Sequence, residues 1–321
     1  MKKKIFTLVI ALVATITTFA QQIAVVSNGS TDIYATLAEA IAGADPGSVV
    51  YLPGGGFTIA DDVKITKKLT IIGIGHNAQS DNVDGRTLIA GNLFFDSNSD
   101  VSAVMGCYIN GNVNIGTAET AVNRILVKYC NLNAVIANNV NCNETVINQN
   151  YIRSESSFSG SSATFTNNIC KTIWDLDNGT ISYNIVFGSH SISYEGSKAI
   201  RRCDNDVING NVIMDTSDPH DGNNCQVSYN MSRTGWGNNF INVVDDSWAN
   251  VFEYYSGLNP SSNFHFKDGY KSYESVCGIY GGTGFSDGAL PPVPYIKLKN
   301  IPDKTDASGM LHISIAVKAS E

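Results

Sequence analysis

The chain has 321 residues, of which 16% are charged, and its formal net charge of −8 becomes −11 once the first twenty residues, with their three lysines, are set aside. This acidic balance argues against nucleic acid and anionic membrane surfaces as the main partners, because both repel negative charge. It also makes an anionic polysaccharide an awkward ligand, unless local basic patches receive it.

The chain begins with features of a secretory signal peptide. Three lysines at positions 2–4 precede an apolar run over 5–19, which ends in Ala20. This order predicts cleavage after Ala20 and an exported protein that is extracellular, on the cell surface or periplasmic. A membrane anchor is the alternative, but the run is short for a spanning helix and contains four threonines. No comparable run follows, so we expect no transmembrane segment after cleavage.

A short helix is predicted near the start of the mature chain. Residues 36–39 are Thr-Leu-Ala-Glu, which is the spacing of a capping box. The pattern predicts a helix over 36–44 with Leu37 and Ile41 on its buried face. We expect this helix to plug the open end of a β-structure, since an uncapped end exposes unpaired strand edges. The strands predicted to follow it are 48–52, 63–65 and 69–74.

The middle of the chain, from about residue 144 to 232, repeats a five-residue phrase: apolar, two variable residues, Asn, apolar. Recurrence near twenty residues is typical of a solenoid, and the Ile, Val, Thr and Tyr around each copy suit short strands. Asn suits the corners because it tolerates left-handed backbone angles. We expect the five asparagines to stack as a hydrogen-bonded ladder. They are Asn150, Asn168, Asn184, Asn211 and Asn230, spaced by 18, 16, 27 and 19 residues.

The pattern is less regular on both sides of this stretch. Residues 105–109 and 128–132 are predicted to carry the same phrase, with Tyr108 and Asn131 at the asparagine position. Beyond the last copy the pattern dissolves. Final coils are predicted over 239–252 and 263–267, closure at 278–282, and an antiparallel β pair over 295–299 and 311–317.

The repeated stretch resembles the right-handed parallel β-helix proteins, the pectin-lyase-like group, in a secreted bacterial form. The resemblance covers most of the mature chain and implies an all-β fold: a right-handed parallel β-helix solenoid with a short N-terminal capping helix and a C-terminal β tail. An all-β sandwich is the alternative, but a sandwich has no reason to repeat one phrase at one period. The implied parts are a signal peptide over 1–20, the β-helix with its cap over 21–285, and a Pro-rich linker with the β tail over 286–321.

The cysteines number seven and include no CxxC pair or metal-binding spacing. An exported protein is free to form disulfides. Several of these cysteines nevertheless fall at strand-like positions, so we interpret them as small apolar side chains inside the coils.

The longest interval between the repeated asparagines, from 184 to 211, holds a cluster of basic residues. In a solenoid, added length leaves the coil as a loop, so residues 187–206 are predicted to project and to carry binding. A polysaccharide lyase needs a cation to neutralise the sugar carboxylate and a base to remove the C5 proton. Lys198, Arg201 and Arg202 are therefore the catalytic candidates if the protein is an enzyme. The acid order of pectin hydrolases is absent from the sequence.

No cofactor is otherwise predicted, but acidic residues near this cluster would be suitable calcium ligands if the protein binds a metal ion. The candidate ligands are Asp204, Asp206, Asp215 and Asp218. The alternative is an ordinary solvated turn, because the spacing does not match the twelve-residue calcium loop with its terminal Glu.

Sugar rings present an apolar face on which aromatic side chains stack, so non-catalytic binding is predicted at Tyr194, Trp236 and His220. Core packing is the alternative role for such aromatic residues. The sequence thus favours an exported protein that binds a polysaccharide or cell-surface glycan or acts as a structural adhesin. The alternative is a polysaccharide lyase or glycoside hydrolase that acts in an outer-face groove.

Overall fold

The computed structural model describes residues 22–76, 85–188, 198–214, 220–233, 237–243, 247–286, 291, 294–300, 308, 310 and 314–319. The predicted signal peptide lies outside these residues. Within them the chain is an all-β solenoid whose short strands pair in parallel from one coil to the next. No helix in this part of the chain is long and apolar enough to cross a bilayer.

The N-terminal end is closed by a hairpin and the predicted helix. Strands β1 (Ile23–Ser27) and β2 (Ser30–Tyr34) pair antiparallel, which the sequence did not indicate. Helix α1 (Leu37–Gly43) follows, and its capping box is confirmed. The Thr36 hydroxyl accepts from the Glu39 amide at 3.2 Å, and the Glu39 carboxylate accepts from the Thr36 amide at 3.1 Å. The predicted plug residues of α1, Leu37 and Ile41, are buried.

Sheet A forms one face of the solenoid, and from β3 onward its strands pair in parallel. The middle residue of each strand points inward, so in-register pairing builds a fully buried apolar column that includes Ile147, Phe165 and Ile181. The strands that follow β2 and β1 in this sheet are β3 (Val49–Tyr51), β6 (Thr70–Ile72), β9 (Ala103–Met105), β12 (Leu126–Lys128), β15 (Thr145–Asn148), β17 (Ala163–Thr166), β19 (Thr180–Ser182), β22 (Val207–Asn209) and β24 (Gln226–Ser228).

Sheet B covers two further faces, here face B and face C, because two long strands run through both. These strands are β16 (Tyr151–Ser161) and β18 (Ile169–Leu176). The other strands of face B are β4 (Gly55–Thr58), β7 (Thr87–Ala90), β10 (Tyr108–Ile109), β13 (Asn131–Leu132), β20 (Ile185–Val186), β23 (Val212–Ile213), β25 (Met231–Ser232) and β26 (Ile241–Asn242). Those of face C are β5 (Lys64–Ile65), β8 (Leu93–Phe95), β11 (Val113–Ile115), β14 (Val135–Ala137) and β21 (Ile200–Arg201).

The five repeated asparagines lie at the corner between sheet A and face B, and all are fully buried. From Asn168 onward, each side-chain oxygen accepts hydrogen bonds of 2.9–3.1 Å from the asparagine one coil earlier, through both its backbone and its side-chain nitrogen. The Asn150 oxygen accepts from the Cys130 backbone amide at 2.9 Å. Each side-chain nitrogen also donates to a backbone carbonyl, as Asn184 does to Phe165 at 2.9 Å. The asparagines therefore form the expected ladder.

The corner differs from the prediction in its backbone and in its register. The left-handed residue is the one before each asparagine, for example Tyr183 with φ 55°. In the two preceding coils the left-handed residues are Gly106 and Tyr129, so Cys107 and Cys130 occupy the asparagine position. The predicted Tyr108 and Asn131 are wrong by one residue, and they pair with each other on face B. In these two coils a Cys thiol fills the small buried corner in place of the Asn side chain. The asparagine spacing therefore does not reveal the repeat here.

The C-terminal part of the described chain departs from the predicted coils. Strand β26 still stacks on β25, but β27 (Phe252–Tyr254) and β28 (Asn263–Phe266) form an antiparallel hairpin instead of coils. Two 3-10 turns, Trp248–Asn250 and Lys271–Tyr273, flank this hairpin. The predicted antiparallel tail pair is confirmed as β29 (Pro294–Asn300) and β30 (Ser314–Ala319).

Residues 276–286, here called the strap, do not close a last coil but run back along the corner. Gly278 donates its amide to the Gly210 carbonyl at 2.8 Å. Further back, Asn167 donates to the carbonyls of Ile279 and Gly281, both at 2.8 Å. The strap therefore contacts successive coils in reverse order.

The hairpin and strap cover the outer side of face B. Outward-facing apolar side chains of face B, such as Ile185 and Val212, pack with Phe252 and Phe264 in a second cluster outside the solenoid core. Burying this row removes an exposed apolar patch that a monomeric protein seldom keeps. All seven cysteines are free thiols, and six of them are buried. Five of these lie in the solenoid core, as predicted, and the sixth, Cys277, lies in the second cluster.

Candidate functional site

The predicted basic cluster does converge, but largely on acidic partners. Arg201 pairs in register with Trp174 on face C, and its guanidinium carbon lies 4.2 Å from the centre of the Trp174 ring. The guanidinium carbon of Arg202 lies 5.7 Å from the same ring. Arg202 also binds both oxygens of Asp175, at 2.8 and 3.0 Å. Lys198 lies 3.4 Å from a carboxylate oxygen of Asp221.

The two predicted calcium ligands that the structure describes, Asp204 and Asp206, accept hydrogen bonds from backbone amides. Asp204 accepts from the Asn223 backbone amide at 2.7 Å, and Asp206 accepts from the Gly179 amide at 2.6 Å. Asp206 is buried, and burial raises the pKa of its carboxyl to about 7. No group of three or more His, Cys, Asp or Glu side chains in the described ranges is placed to hold a metal ion. Asp215 and Asp218 lie outside those ranges.

The predicted binding residues are only partly described. His220 forms a bridge to Ile200, and its Nδ1 accepts from the Gly222 amide at 3.0 Å, so this ring nitrogen helps to shape a turn. Tyr194 and Trp236 lie outside the described residues, as does the stretch 189–197 of the predicted projecting loop.

A pocket of about 260 Å³ lies where the hairpin and the strap meet the outer side of face B. Its floor is Tyr151 from β16 and Ile169 from β18, which are paired neighbours on adjacent coils. The remaining lining residues come from the hairpin, the strap and a loop after β6. They are His76, Pro260, Ser262, Asn263, Phe264, Ile279, Tyr280 and Phe285.

Aromatic rings held by packing form one side of this pocket. The rings of Tyr280 and His265 stack with centroids 3.8 Å apart and an interplanar angle of 6°. His265 Nδ1 lies 2.8 Å from the Glu274 carboxylate, which fixes the imidazole. Phe285 stands at 89° to Tyr280, with ring centroids 6.5 Å apart. The two rings thus make a corner whose orientation is set before any ligand arrives.

Two polar atoms in the pocket lining are buried without a hydrogen-bond partner among the described residues. They are Nε2 of His76 and the hydroxyl of Tyr151, and these residues are 9% and 3% exposed. Burial, assisted by Arg86, lowers the pKa of His76 to about 4, so its imidazole is neutral at pH 7. Burial also raises the pKa of Tyr151 well above its usual range. An unpaired buried polar group costs about 1–3 kcal/mol, so a hydrogen-bond partner for either atom would be favourable.

The sequence did not point to this pocket. His76 and Tyr280 are about two hundred residues apart in the sequence, and the return of the strap brings them together. Comparison with known proteins finds no matching family model, curated protein or solved structure. The geometry of the pocket is therefore the basis for inferring function.

Proposed function

We propose that this protein is an exported right-handed parallel β-helix of the pectin-lyase-like kind that binds glycans in the pocket beneath the strap. The stacked parallel sheets on three faces support the β-helix. The three lysines and the apolar run of the first twenty residues support export to the cell surface, periplasm or medium.

The observation that carries the proposal is the placement of the buried His76 Nε2 and Tyr151 hydroxyl beside the aromatic corner of Tyr280 and Phe285. A sugar ring has hydroxyl groups on its edge and C–H bonds on its faces. The two polar atoms match the hydroxyls, and the aromatic rings match the C–H faces.

The lyase alternative needs a cation that is available to the carboxylate of the substrate. Lys198 and Arg202 already face Asp221 and Asp175, so accepting an anionic sugar would require breaking these ion pairs. This arrangement favours a glycan-binding protein over a lyase. The proposal includes a structural adhesin that binds through the same pocket.

The test is binding of neutral and acidic oligosaccharides measured by calorimetry on wild type, Tyr151→Phe and His76→Phe. Tyr151→Phe removes one oxygen and keeps the ring, so we expect about tenfold weaker binding from the lost hydrogen bond. Tyr254→Phe is the matched control, because Tyr254 is 56% exposed and does not line the pocket.

Absence of binding to any glycan, or equal binding by Tyr151→Phe, contradicts the proposal. Each mixture is also followed by absorbance for an unsaturated sugar product. Product that disappears in Arg201→Ala or Arg202→Ala would establish the lyase in place of the binder.

A further inference from the structure

We infer that the pocket receives a single neutral sugar residue and discriminates against the corresponding uronic acid. The inference rests on the proposed function and adds the class of ligand. Three features of the pocket support it: the chemistry of its lining, the state of the charged groups around it, and its size.

The described part of the lining is uncharged. Among the described residues that line the pocket, none is Asp, Glu, Lys or Arg, although 16% of the chain is charged. The polar side chains among the described lining residues include His76, Tyr151, Ser262 and Asn263, and none of these carries a charge at pH 7. A sugar carboxylate would lose its water here and find no cation among the described lining residues, which is unfavourable for a charge.

The two arginines nearest the pocket, Arg86 and Arg153, already contact other groups of the solenoid. Arg153 donates to the Asn131 side-chain oxygen and, at 3.0 Å, to the Ile109 carbonyl. The guanidinium carbons of Arg153 and Arg86 lie 4.8 and 4.3 Å from the centre of the Tyr108 ring. These contacts hold Arg153 against the solenoid face, so a ligand carboxylate would compete with bonds that already exist.

Glu274 is the acid behind the aromatic corner, and it is satisfied as well. Its oxygens lie 2.8 Å from His265 Nδ1 and 2.8 Å from Lys271 Nζ. The carboxylate contacts the edge of the His265 ring, and the Tyr280 ring stacks on its face. Tyr280 lines the pocket, and Glu274 is not among the described lining residues.

The size of the pocket limits the ligand to one ring. Ligand pockets usually span roughly 300–1,000 Å³. At about 260 Å³ this pocket is below that range, and the hairpin residues Pro260 and Ser262 and the strap residue Phe285 bound it on its outer side. Further residues of a longer glycan would extend into solvent and add little affinity.

The experiment measures the affinity of the full mature protein for methyl glycosides of glucose, galactose and mannose and for the matched methyl glucuronide and galacturonide. We expect at least tenfold tighter binding of one neutral glycoside over its uronide, unchanged between pH 6 and 8. We also expect less than about threefold change from 50 to 500 mM salt, since no ion pair forms. The disaccharide and trisaccharide of the preferred sugar should bind within about threefold of the methyl glycoside.

Pro260→Lys tests the inference from the opposite direction, by adding a cation to the pocket lining. Pro260 is exposed and lines the pocket, so the added cation should raise the affinity for the uronide several-fold relative to the affinity for the neutral glycoside. Circular dichroism and a melting curve verify that the variant is folded. If it is not, Pro260→Arg replaces it.

The outcomes separate the two proposals. Binding that depends on Tyr151 but favours the uronide, or that strengthens tenfold with each added residue, overturns this inference and leaves glycan binding intact. If no sugar binds in a Tyr151-dependent manner, glycan binding at this pocket is wrong and the inference falls with it.

Discussion

The side-chain oxygen of Asn168 accepts two hydrogen bonds from Asn150, one from the backbone nitrogen at 2.9 Å and one from the side-chain nitrogen at 3.0 Å. The side-chain nitrogen of Asn168 in turn donates to the Ile147 carbonyl at 2.9 Å. Every coil therefore satisfies the buried polar groups of the one before it. A buried polar column is stable only when it is complete in this way.

Replacing Asn184 by Leu breaks this column in the middle. The substitution leaves both Asn168 nitrogens and the Phe165 carbonyl without their present partner, Asn184. We expect a loss of about 1–3 kcal/mol in the free energy of unfolding, measured by urea denaturation. Asn141→Leu is the control, because Asn141 is exposed and its side chain makes no hydrogen bond in the described structure. Equal stability of the two variants would contradict a structural role for the ladder.

The plug helix gives a second prediction. Ile41 is buried against the first coils, so Ile41→Asp places a carboxylate there without a cation. We expect a loss of at least about 4 kcal/mol or outright aggregation, seen by size-exclusion chromatography and thermal melting. Ala42→Asp adds the same charge at an exposed position of the same helix and should behave as wild type. A soluble Ile41→Asp variant with an unchanged melting curve would show that the helix is not a plug.

Burial of Asp206 predicts a dependence of stability on pH. Its folded pKa is about 7 against an ordinary 3.8, so between these values the folded chain holds a proton that the unfolded chain has released. The contribution of Asp206 to the free energy of unfolding is greatest below about pH 4. It decreases as the pH rises and is lost above about pH 7.

Asp206→Asn removes this titration and keeps an oxygen that can accept from the Gly179 amide. We expect the variant to match wild type near pH 4 and to exceed it by on the order of 1–3 kcal/mol at pH 8, in urea titrations across this range. Asp62→Asn is the control, since Asp62 is exposed. If the free energies of unfolding of wild type and Asp206→Asn differ by the same amount at every pH, Asp206 does not titrate between pH 4 and pH 8.

The sequence predicted what local chemistry determines and missed what distant contacts determine. The capping box at Thr36 and the asparagine ladder follow from spacing alone, because each depends on residues one turn or one coil apart. The corners at Cys107 and Cys130 were predicted one residue too late, because a cysteine in the sequence does not indicate a corner as an asparagine does. The pocket was missed because the path of the strap depends on the side chain of Asn167, which lies in a coil far from it along the chain.

Asn167 is thus the residue through which the strap can be tested. Its side-chain nitrogen donates to Ile279 and Gly281, and its side-chain oxygen accepts from the Thr283 hydroxyl at 3.0 Å. Its backbone has φ 53°, a left-handed conformation that glycine adopts without cost. Asn167→Gly therefore removes all three bonds to the strap and leaves the corner of the solenoid unstrained.

We expect Asn167→Gly to loosen the strap while the coils stay folded. Amide hydrogen exchange over 276–286 should accelerate at least tenfold, and glycan affinity should fall with it, because Ile279, Tyr280 and Phe285 line the pocket. Asn178→Gly is the matched control: Asn178 has φ 55°, is exposed and does not contact the strap. Exchange in β15 and β17 should remain as in wild type in both variants. Unchanged exchange in the strap of Asn167→Gly would mean that the second apolar cluster alone holds it, and uniform acceleration through the solenoid would mean that Asn167 supports the coil itself.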